Sequence, residues 1–417
     1  MRLLYSLISV GEAVEAVVEN TRLSIGVEEV DLLDASGRIS AEDIYAPYSL
    51  PTSNRSVVDG YAVRAEDTYG ASQSSPIELE VIGRVYAGDE AMELKPYTAI
   101  EIATGAKLPL NANAVVMYED TSRIGSKVLI YRAVAEWGNV SRRGEDFEAG
   151  SLVVGRGTVI KPWHIAALAS FGFSKVKVLR RVKVSIMPTG SEVREPREPK
   201  PLDGGVYDST SYLVYSYLSM YSYLDLMRID PKPDDEEIIS ESLKDILEKS
   251  DMVITIGGSS VGKMDLVPKV LEDMKEAKIV FRGVAMRPGR TVGAGVIGGK
   301  PVFMVSGYPV AALASLDLII IPSIRRMLGI SELGRSRVKA RLTRRLVNTT
   351  GYTSYVRVKV FKCGDELYAE PLRTTGSGIL STLIRGNGVV IMPPEAEGYD
   401  GGSLVEVELL EPVSQHN

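Results

Sequence analysis

Three carboxylates, two guanidinium groups and one glycine-rich run are the groups in this sequence best suited to chemistry. Gly257, Gly258, Ser259, Ser260 and Gly262 follow an apolar run at 252–256, and Asp265 lies just beyond them. Glycines let backbone amides approach a ligand, and exposed amides near a helix start suit a phosphate or another oxyanion. A plain tight turn between strand and helix would read the same way. The run lacks the Gly-Lys-Ser/Thr ending of a Walker loop and does not match Gly-x-Gly-x-x-Gly. Met286-Arg287-Pro288-Gly289-Arg290 sets Arg287 and Arg290 on a Pro-Gly turn, suited either to forked contacts with a tetrahedral oxyanion or to plain solvation. Glu192, Asp208 and Asp265 fall in three different strand-to-helix loops. Converging, they could bind Mg2+ through hard oxygen ligands; singly, each could cap a helix or carry surface charge.

Composition narrows the chemistry further. One cysteine, Cys363, and two histidines, His164 and His416, exclude an intrachain disulfide framework and a Cys/His zinc cluster. The reaction must therefore use carboxylates, Ser/Thr, Lys/Arg and backbone amides. With 48 Lys+Arg against 54 Asp+Glu and no long basic block, no nucleic-acid partner is expected. No run approaches the roughly 18 apolar residues of a membrane span, and residues 3–10 are short for a signal segment. A cytoplasmic location without membrane attachment is the expectation.

These groups need elements to position them. At 417 residues, against about 100–200 per domain, the chain implies three or four units. Ser9 and Glu12 form a capping box ahead of an apolar stripe at Val10, Ala13, Val14, Val17 and Val18. Short β-type runs at 79–85, 98–102, 114–118 and 128–134 predict a β-rich unit. Between 182 and 328 the pattern alternates: strands at 182–187, 223–228, 252–256 and 301–305, with helices after Asp208 or Ser209, from Asp234 with Glu237, after Met264, and at 310–321. This predicts a mostly parallel sheet with helices on both faces, whose ligands gather at the carboxyl ends of the strands. From about residue 336 the alternation returns to period two, predicting a β-barrel or sandwich. The expected division is a discontinuous first domain at 1–50 and 137–180, a β-rich insertion at 51–136, an α/β domain at 181–330 and a β-barrel-like domain at 331–417. The fold class is thus multidomain α/β plus β.

Several segments together resemble the molybdenum cofactor insertase family, the MoeA proteins and the gephyrin E domain. Residues 56–64 resemble its Asp-Gly-Tyr-Ala-Val signature, 102–106 with 113–116 its Thr-Gly-Ala and Ala-Asp-Ala-Val-Val segment, and 143–146 its Arg-x-Gly-Glu-Asp motif. Residues 188–192 resemble its Thr-Gly-x-Glu loop, 206–209 its Tyr-Asp-Ser/Thr-Asn helix start, 257–265 its Gly-Gly-x-Ser-x-Gly-x-x-Asp loop, and 376–381 its Gly-Ser-x-x-x-Ser segment. The resemblance implies an elongated four-domain homodimer that inserts molybdate, or tungstate, into adenylylated molybdopterin and releases AMP. It further implies a site shared between subunits, with Mg2+ as cofactor and a molybdopterin adenylyltransferase as an upstream partner. Glu192, Asp208 and Asp265 would position Mg2+ or the nucleotide, with Glu192 and Asp265 catalytic. Asp208, Ser209, Gly257, Gly258, Ser259, Ser260, Gly262, Gly307 and Pro309 would hold the substrate, and Arg287 and Arg290 the oxyanion. Asp59, Thr104 and Asp146 would be catalytic residues supplied by the partner. Two departures stand out: Arg287 and Arg290 replace the lysines of a Lys-Pro-Gly-Lys turn, and Ser306-Gly307-Tyr308-Pro309 replaces Pro-Gly-Asn-Pro. A nonenzymatic gephyrin-like scaffold and a molybdopterin adenylyltransferase are the alternative functions.

Overall fold

The computed structural model of the chain describes residues 7–90, 92–199, 204–258, 266–331, 334–372 and 376–415. Contacts divide it into two units, Asp43–Gly155 with Trp163–Ser174, and the remainder, in which residues up to Glu42 join Arg156–Pro162 and Lys175–Asn417. The first helix packs within the larger unit, on the α/β core.

The smaller unit is built on a mixed sheet in the spatial order Ala114–Met117, Gly60–Val63, Thr98–Ile102, Ile77–Val85, Lys127–Ile130 and Thr121–Ile124. Its central strands are covered on both faces: Tyr61, Val63, Ala99 and Val116 pack to one side, Ala62, Ile100, Ile102 and Val115 to the other. Strands buried on both faces read as unbroken apolar runs, which is how 114–117 stands out in the sequence. Gly60 is required where it stands, since a Cβ there would lie 2.0 Å from the Val116 carbonyl oxygen.

The larger unit carries a six-stranded sheet of β1 (Val182–Pro188), β2 (Leu224–Arg228), β3 (Met252–Ile256), β4 (Ala277–Arg282), β5 (Gly293–Ile297) and β6 (Lys300–Val305), in the order β2-β1-β3-β6-β5-β4. β2, β1, β3 and β6 run parallel, and β5 is antiparallel to both neighbours. The β5–β6 hairpin is absent from the sequence expectation because Gly293-Ala294-Gly295 carries little β propensity. Gly298 and Gly299 turn it, at φ 56° and 84°.

Helices cover both faces of this sheet. Val184, Ile186, Ile254, Phe303 and Val305 share a core with α1 (Val10–Asn20), α2 (Thr210–Leu218) and the helix that starts at Pro309. Met187, Val253, Val302 and Met304 pack instead against α3 (Glu236–Lys249) and α4 (Leu266–Asp273). The alternation along each strand is the period of two that sends neighbouring side chains to opposite faces. The Ser9–Glu12 capping box opens α1 as expected: the Glu12 amide donates to Ser9 Oγ at 3.2 Å, and the Ser9 amide to Glu12 Oε2 at 2.7 Å.

The expected helix at 310–321 is longer. It comprises α5 (Pro309–Ser315), a π-helical turn at Leu316–Ile320 and α6 (Ile321–Met327). Pro322 explains the wide turn, because its ring and missing N–H cannot be accommodated in a regular α-helical ladder. Asp317, inside that turn, accepts both arms of Arg335 at 2.7 and 2.8 Å and the phenols of Tyr217 at 2.5 Å and Tyr355 at 2.6 Å.

Tyr355 belongs to a closed β-barrel. Thr353–Cys363 pairs with Glu366–Pro371 and Gly388–Met392, Arg337–Leu342 pairs with Glu366–Pro371 and Leu404–Leu409, and the pairing of Leu404–Leu409 with Gly388–Met392 closes the ring. Val356, Val358, Val360, Val405 and Val407 fill its interior, the face that their alternation with Arg357, Lys359 and Glu406 predicts.

Candidate functional site

A cavity of about 900 Å³ opens at the carboxyl ends of β1, β3 and β6. It lies where the strand order reverses: β1 comes first in sequence, β2 lies on one side of it and β3 on the other. Loops leaving neighbouring strands at such a point diverge to opposite faces and leave a crevice.

The floor is glycine backbone. Gly257 and Gly258, directly after β3, adopt φ 95° and 58°. A Cβ on Gly257 would meet the Thr189 carbonyl oxygen at 2.4 Å, so no side chain fits between the β1 and β3 loops. Gly307 follows β6 and passes within ordinary contact of Gly257, a Cβ on it lying 3.8 Å from the Gly257 Cα. Thr210 Oγ1 donates to the Gly307 carbonyl at 2.6 Å and ties the β6 loop to the start of α2. Gly257, Gly258 and Gly307 all line the cavity, as do Ser209 and Pro309. Ser259, Ser260, Gly262 and Asp265 lie outside the described residues.

Two acids face this space. Glu192, exposed on the β1 loop, folds its carboxylate over Gly190: a Cβ on Gly190 would lie 3.0 Å from Glu192 Oε2. Asp234 is the second, and sequence reasoning assigned it instead to the opening of α3. That cap is Asp235, whose Oδ1 accepts the Glu237 and Ile238 amides, both at 3.0 Å. Asp234 is left to bind the β1 loop, accepting the Ser191 amide at 3.0 Å and donating its own amide to Ser191 Oγ at 2.9 Å. The Asp234-Asp235 doublet is the signal that could have found it, since only one of two adjacent acids can cap a given helix.

Asp208 borders the cavity but is engaged elsewhere. It is 5 % exposed, accepts the Ser211 amide at 3.0 Å through Oδ1 and bonds the Ser211 hydroxyl through Oδ2. Its Oδ2 also lies 3.7 Å from the guanidinium of Arg228, which pairs with the buried Glu195. Arg228 in turn lies over the Tyr212 ring at 4.2 Å, and Tyr212 donates to Glu195 at 3.1 Å. Burial and then that bond to Glu195 hold the Tyr212 phenol above its ordinary pKa. Asp208, just before the N-cap Ser209, thus satisfies a first-turn amide of α2 as a side-chain cap and is part of a buried charge network.

The two arginines of the Pro-Gly turn separate. Arg290 lines the cavity. Arg287 belongs to a two-residue strand added to the barrel beside Thr353 and Ser354, with Nη1 2.8 Å from Thr349 Oγ1 and the guanidinium 4.4 Å from the Tyr352 ring centroid. The turn therefore places one arginine at the cavity and fastens the other to the barrel.

Asp59, Thr104 and Asp146 all lie in the smaller unit and are exposed. Asp59 Oδ1 accepts the Thr104 amide at 2.7 Å, so the structure brings these two together. Asp146 stands on a neighbouring loop, its amide donating to the Leu50 carbonyl at 3.1 Å, while the Arg143 amide donates to Asn54 Oδ1 at 2.8 Å.

The chain matches three family models in order: the MoeA N-terminal region (domain I and II) over residues 8–172, a probable molybdopterin binding domain over 185–326, and the MoeA C-terminal region (domain IV) over 339–410. These are the parts of a multidomain protein of molybdopterin metabolism; most of the cavity lining falls in the segment matched by the molybdopterin binding domain, and Ser377, Gly378 and Leu380 in the C-terminal region. The chain belongs to the MoeA family. It is 39% identical over 391 residues to a molybdopterin biosynthesis protein of Methanocaldococcus jannaschii, covering 92% of each chain. It is 32% identical over 405 residues to the molybdopterin molybdenumtransferase of a Staphylococcus aureus strain, covering 97% of this chain and 96% of that one. A crystal structure of a molybdopterin biosynthesis MoeA protein from Pyrococcus horikoshii OT3 superposes with a TM-score of 0.82 at 32% identity, covering 97% of this chain and 100% of that one. Among the described residues no helix is long and apolar enough to cross a membrane.

Proposed function

We propose that the chain inserts molybdate, or tungstate, into adenylylated molybdopterin and releases AMP. Family membership makes it a transferase of molybdenum cofactor biosynthesis; the substrate form, the released nucleotide and the choice of anion are the proposed part. The observation that carries the reading is the 900 Å³ cavity, with glycine amides on its floor and Glu192, Asp234 and Arg290 on its walls. Such a volume is at the upper end of small-molecule sites and suits two heterocycles joined through a pyrophosphate. The amides of Gly257 and Gly258 would take phosphate oxygens, and Arg290 would neutralise charge on a phosphate or on the incoming oxyanion.

The donor set also fits Mg2+, which commonly uses one or two carboxylates and completes its shell with water and substrate phosphates. Glu192 would hold it, with Asp234 contributing the carboxylate oxygen that does not accept the Ser191 amide and Asp265 the expected third. Bound there, Mg2+ would supply charge neutralisation at the phosphoanhydride. No histidine base is required, since phosphoryl chemistry of this kind rests on positioning and charge.

Purified protein incubated with adenylylated molybdopterin, Mg2+ and molybdate or tungstate is expected to release AMP and yield metal-bound pterin. No AMP above background with either anion would overturn the proposal. Asp59, Thr104 and Asp146 are proposed to complete the site from a partner subunit of a homodimer. Mixing inactive Asp59→Ala and Asp265→Ala proteins should then restore activity, and failure of verified heterodimers to recover it would refute the shared site.

A further inference from the structure

Tyr308 is one of the residues by which this chain departs from the Pro-Gly-Asn-Pro turn that its sequence resembles, and the chemistry above gives it no task. It lines the cavity with its side chain open, 60 % exposed. Its backbone is fixed: the carbonyl accepts the Ala312 amide at 2.9 Å, its own amide lies 3.3 Å from Ser306 Oγ, and Pro309 opens α5 directly after it. The ring is backed on one side by Gly378, where a Cβ would lie 3.0 Å from Tyr308 Cδ1 and 3.5 Å from Cε1. That backing segment is anchored in turn, since the Ser377 carbonyl accepts the Val310 amide at 3.0 Å. An aromatic ring with a fixed root, a glycine behind it and open space before it is preorganised for stacking, because little side-chain freedom is lost when a ligand arrives.

What it would stack on follows from its neighbours. Tyr308 is one residue from Gly307, which lies near Gly257 at the amide floor of the cavity, a Cβ on Gly307 falling 3.8 Å from the Gly257 Cα. We infer that Tyr308 is a positioning residue whose ring stacks on a planar fused heterocycle of the substrate while the substrate's phosphate rests on the Gly257-Gly258 amides. This rests on the reading of the cavity given above. Adenylylated molybdopterin carries such a heterocycle at each end, a pterin and an adenine, and both offer the same π face.

Two probes separate the ends: AMP, and a pterin with a short hydroxylated side chain, each titrated calorimetrically into the full-length dimer or monomer as it purifies. Tyr308→Ala is expected to weaken one of the two by roughly 5- to 150-fold, the range for losing one base-on-aromatic stack. Loss of AMP binding assigns the adenine, and loss of pterin binding the pterin. Tyr308→Phe should stay within about threefold of wild type, since stacking needs the ring and not the hydroxyl. With the complete substrate, Tyr308→Ala should raise KM and leave kcat near the wild-type value, the pattern of a lost uniform binding contact. Unaltered binding of both probes by Tyr308→Ala, or equal losses in Tyr308→Ala and Tyr308→Phe, would overturn the inference, as would a wild-type protein that binds neither probe. Probe binding that depends on the ring in a protein that releases no AMP would sustain the stacking role and reject the insertase reading.

Discussion

Replacing Asp208 distinguishes two roles that a single acid at a cavity rim can play. The resemblance implies a ligand of Mg2+ or nucleotide, whereas the geometry shows a helix cap, with the Ser211 amide 3.0 Å from Oδ1 and the Ser211 hydroxyl bonded to Oδ2. Loss of a cap costs about 1 kcal/mol, within a range of about 0.5–2 kcal/mol. Asp208 is 5 % exposed and its carboxylate lies 3.7 Å from the mostly buried Arg228, so removing it also takes one of three anions, with Glu195 and Asp230, from that cation. Because 3.7 Å is beyond hydrogen-bond length and Glu195 remains in place, this second term should be no larger than the first. We expect Asp208→Ala to lose about 1–3 kcal/mol, and Tm to fall by about 2–4 °C per kcal/mol for a domain of this size. Asp208→Asn keeps an acceptor for the Ser211 amide, and asparagine caps about as well as aspartate, so most of the cap term should return. Thermal unfolding of the three proteins, followed by circular dichroism, measures the stability side. AMP release as a function of Mg2+ concentration measures the other. A cap predicts a destabilised alanine variant, a largely rescued asparagine variant and an unchanged Mg2+ requirement in both. Native-like stability in both variants, with a Mg2+ requirement raised tenfold or more, corresponding to about 1.4 kcal/mol, would refute the assignment.

Arg290→Ala should reduce kcat/KM by tenfold or more, about 1.4 kcal/mol, while Arg287→Ala, whose guanidinium lies over Tyr352, should cost about 0.5–1 kcal/mol of stability and little activity. Steady-state kinetics and melting curves on both proteins test this, and equal kinetic losses would contradict the separation of the two side chains. Gly257→Ala must take φ 95° and set a methyl 2.4 Å from the Thr189 carbonyl, so it should lose at least about 1–2 kcal/mol and abolish binding of phosphate-bearing probes. Burial acts to raise the pKa of Asp251, but the Arg180 fork at 2.6 and 2.7 Å and the Lys183 amide at 2.8 Å outweigh it, leaving Asp251 lowered. A lowered carboxylate stabilises the fold above its unfolded value of about 3.9 and loses that contribution as pH falls through the folded value. The stability gap between wild type and Asp251→Asn should therefore be flat from about pH 5 to 7 and close below about pH 4, as measured by denaturation at each pH.

The parts of the fold that sequence exposes are those in which one local rule acts without competition. Met252–Ile256 is buried on both faces and reads as a solid apolar strand, and Ser9 with Glu12 announces a helix start because both halves of the box lie within one turn. Where two rules compete, the sequence is silent. The β5 strand takes its place by pairing between β6 and β4 despite its glycines, so tertiary context overrides propensity there. Pro322 would end a helix by local rules, yet the helix continues because the π turn at Leu316–Ile320 absorbs the proline and Asp317 fastens that turn to Arg335, Tyr217 and Tyr355.

The same distinction governs the site. Residue types and order pointed to carboxylates, glycines and arginines, but not to which of them would remain free. That depends on demands each loop must meet before any ligand is present: α2 needs a cap and takes Asp208, α3 takes Asp235, and the barrel edge takes Arg287. Once those demands are met, Glu192, Asp234 and Arg290 are left facing the cavity. A functional group in a strand-to-helix loop is thus identified by elimination in three dimensions. Each helix N-terminus in such a fold competes with the ligand for the same acids, because exposed amides and a bound cation both attract carboxylate oxygens. Adjacent acids can divide such demands: at the start of α3, Asp235 caps the helix while Asp234 ties down the β1 loop beside the cavity.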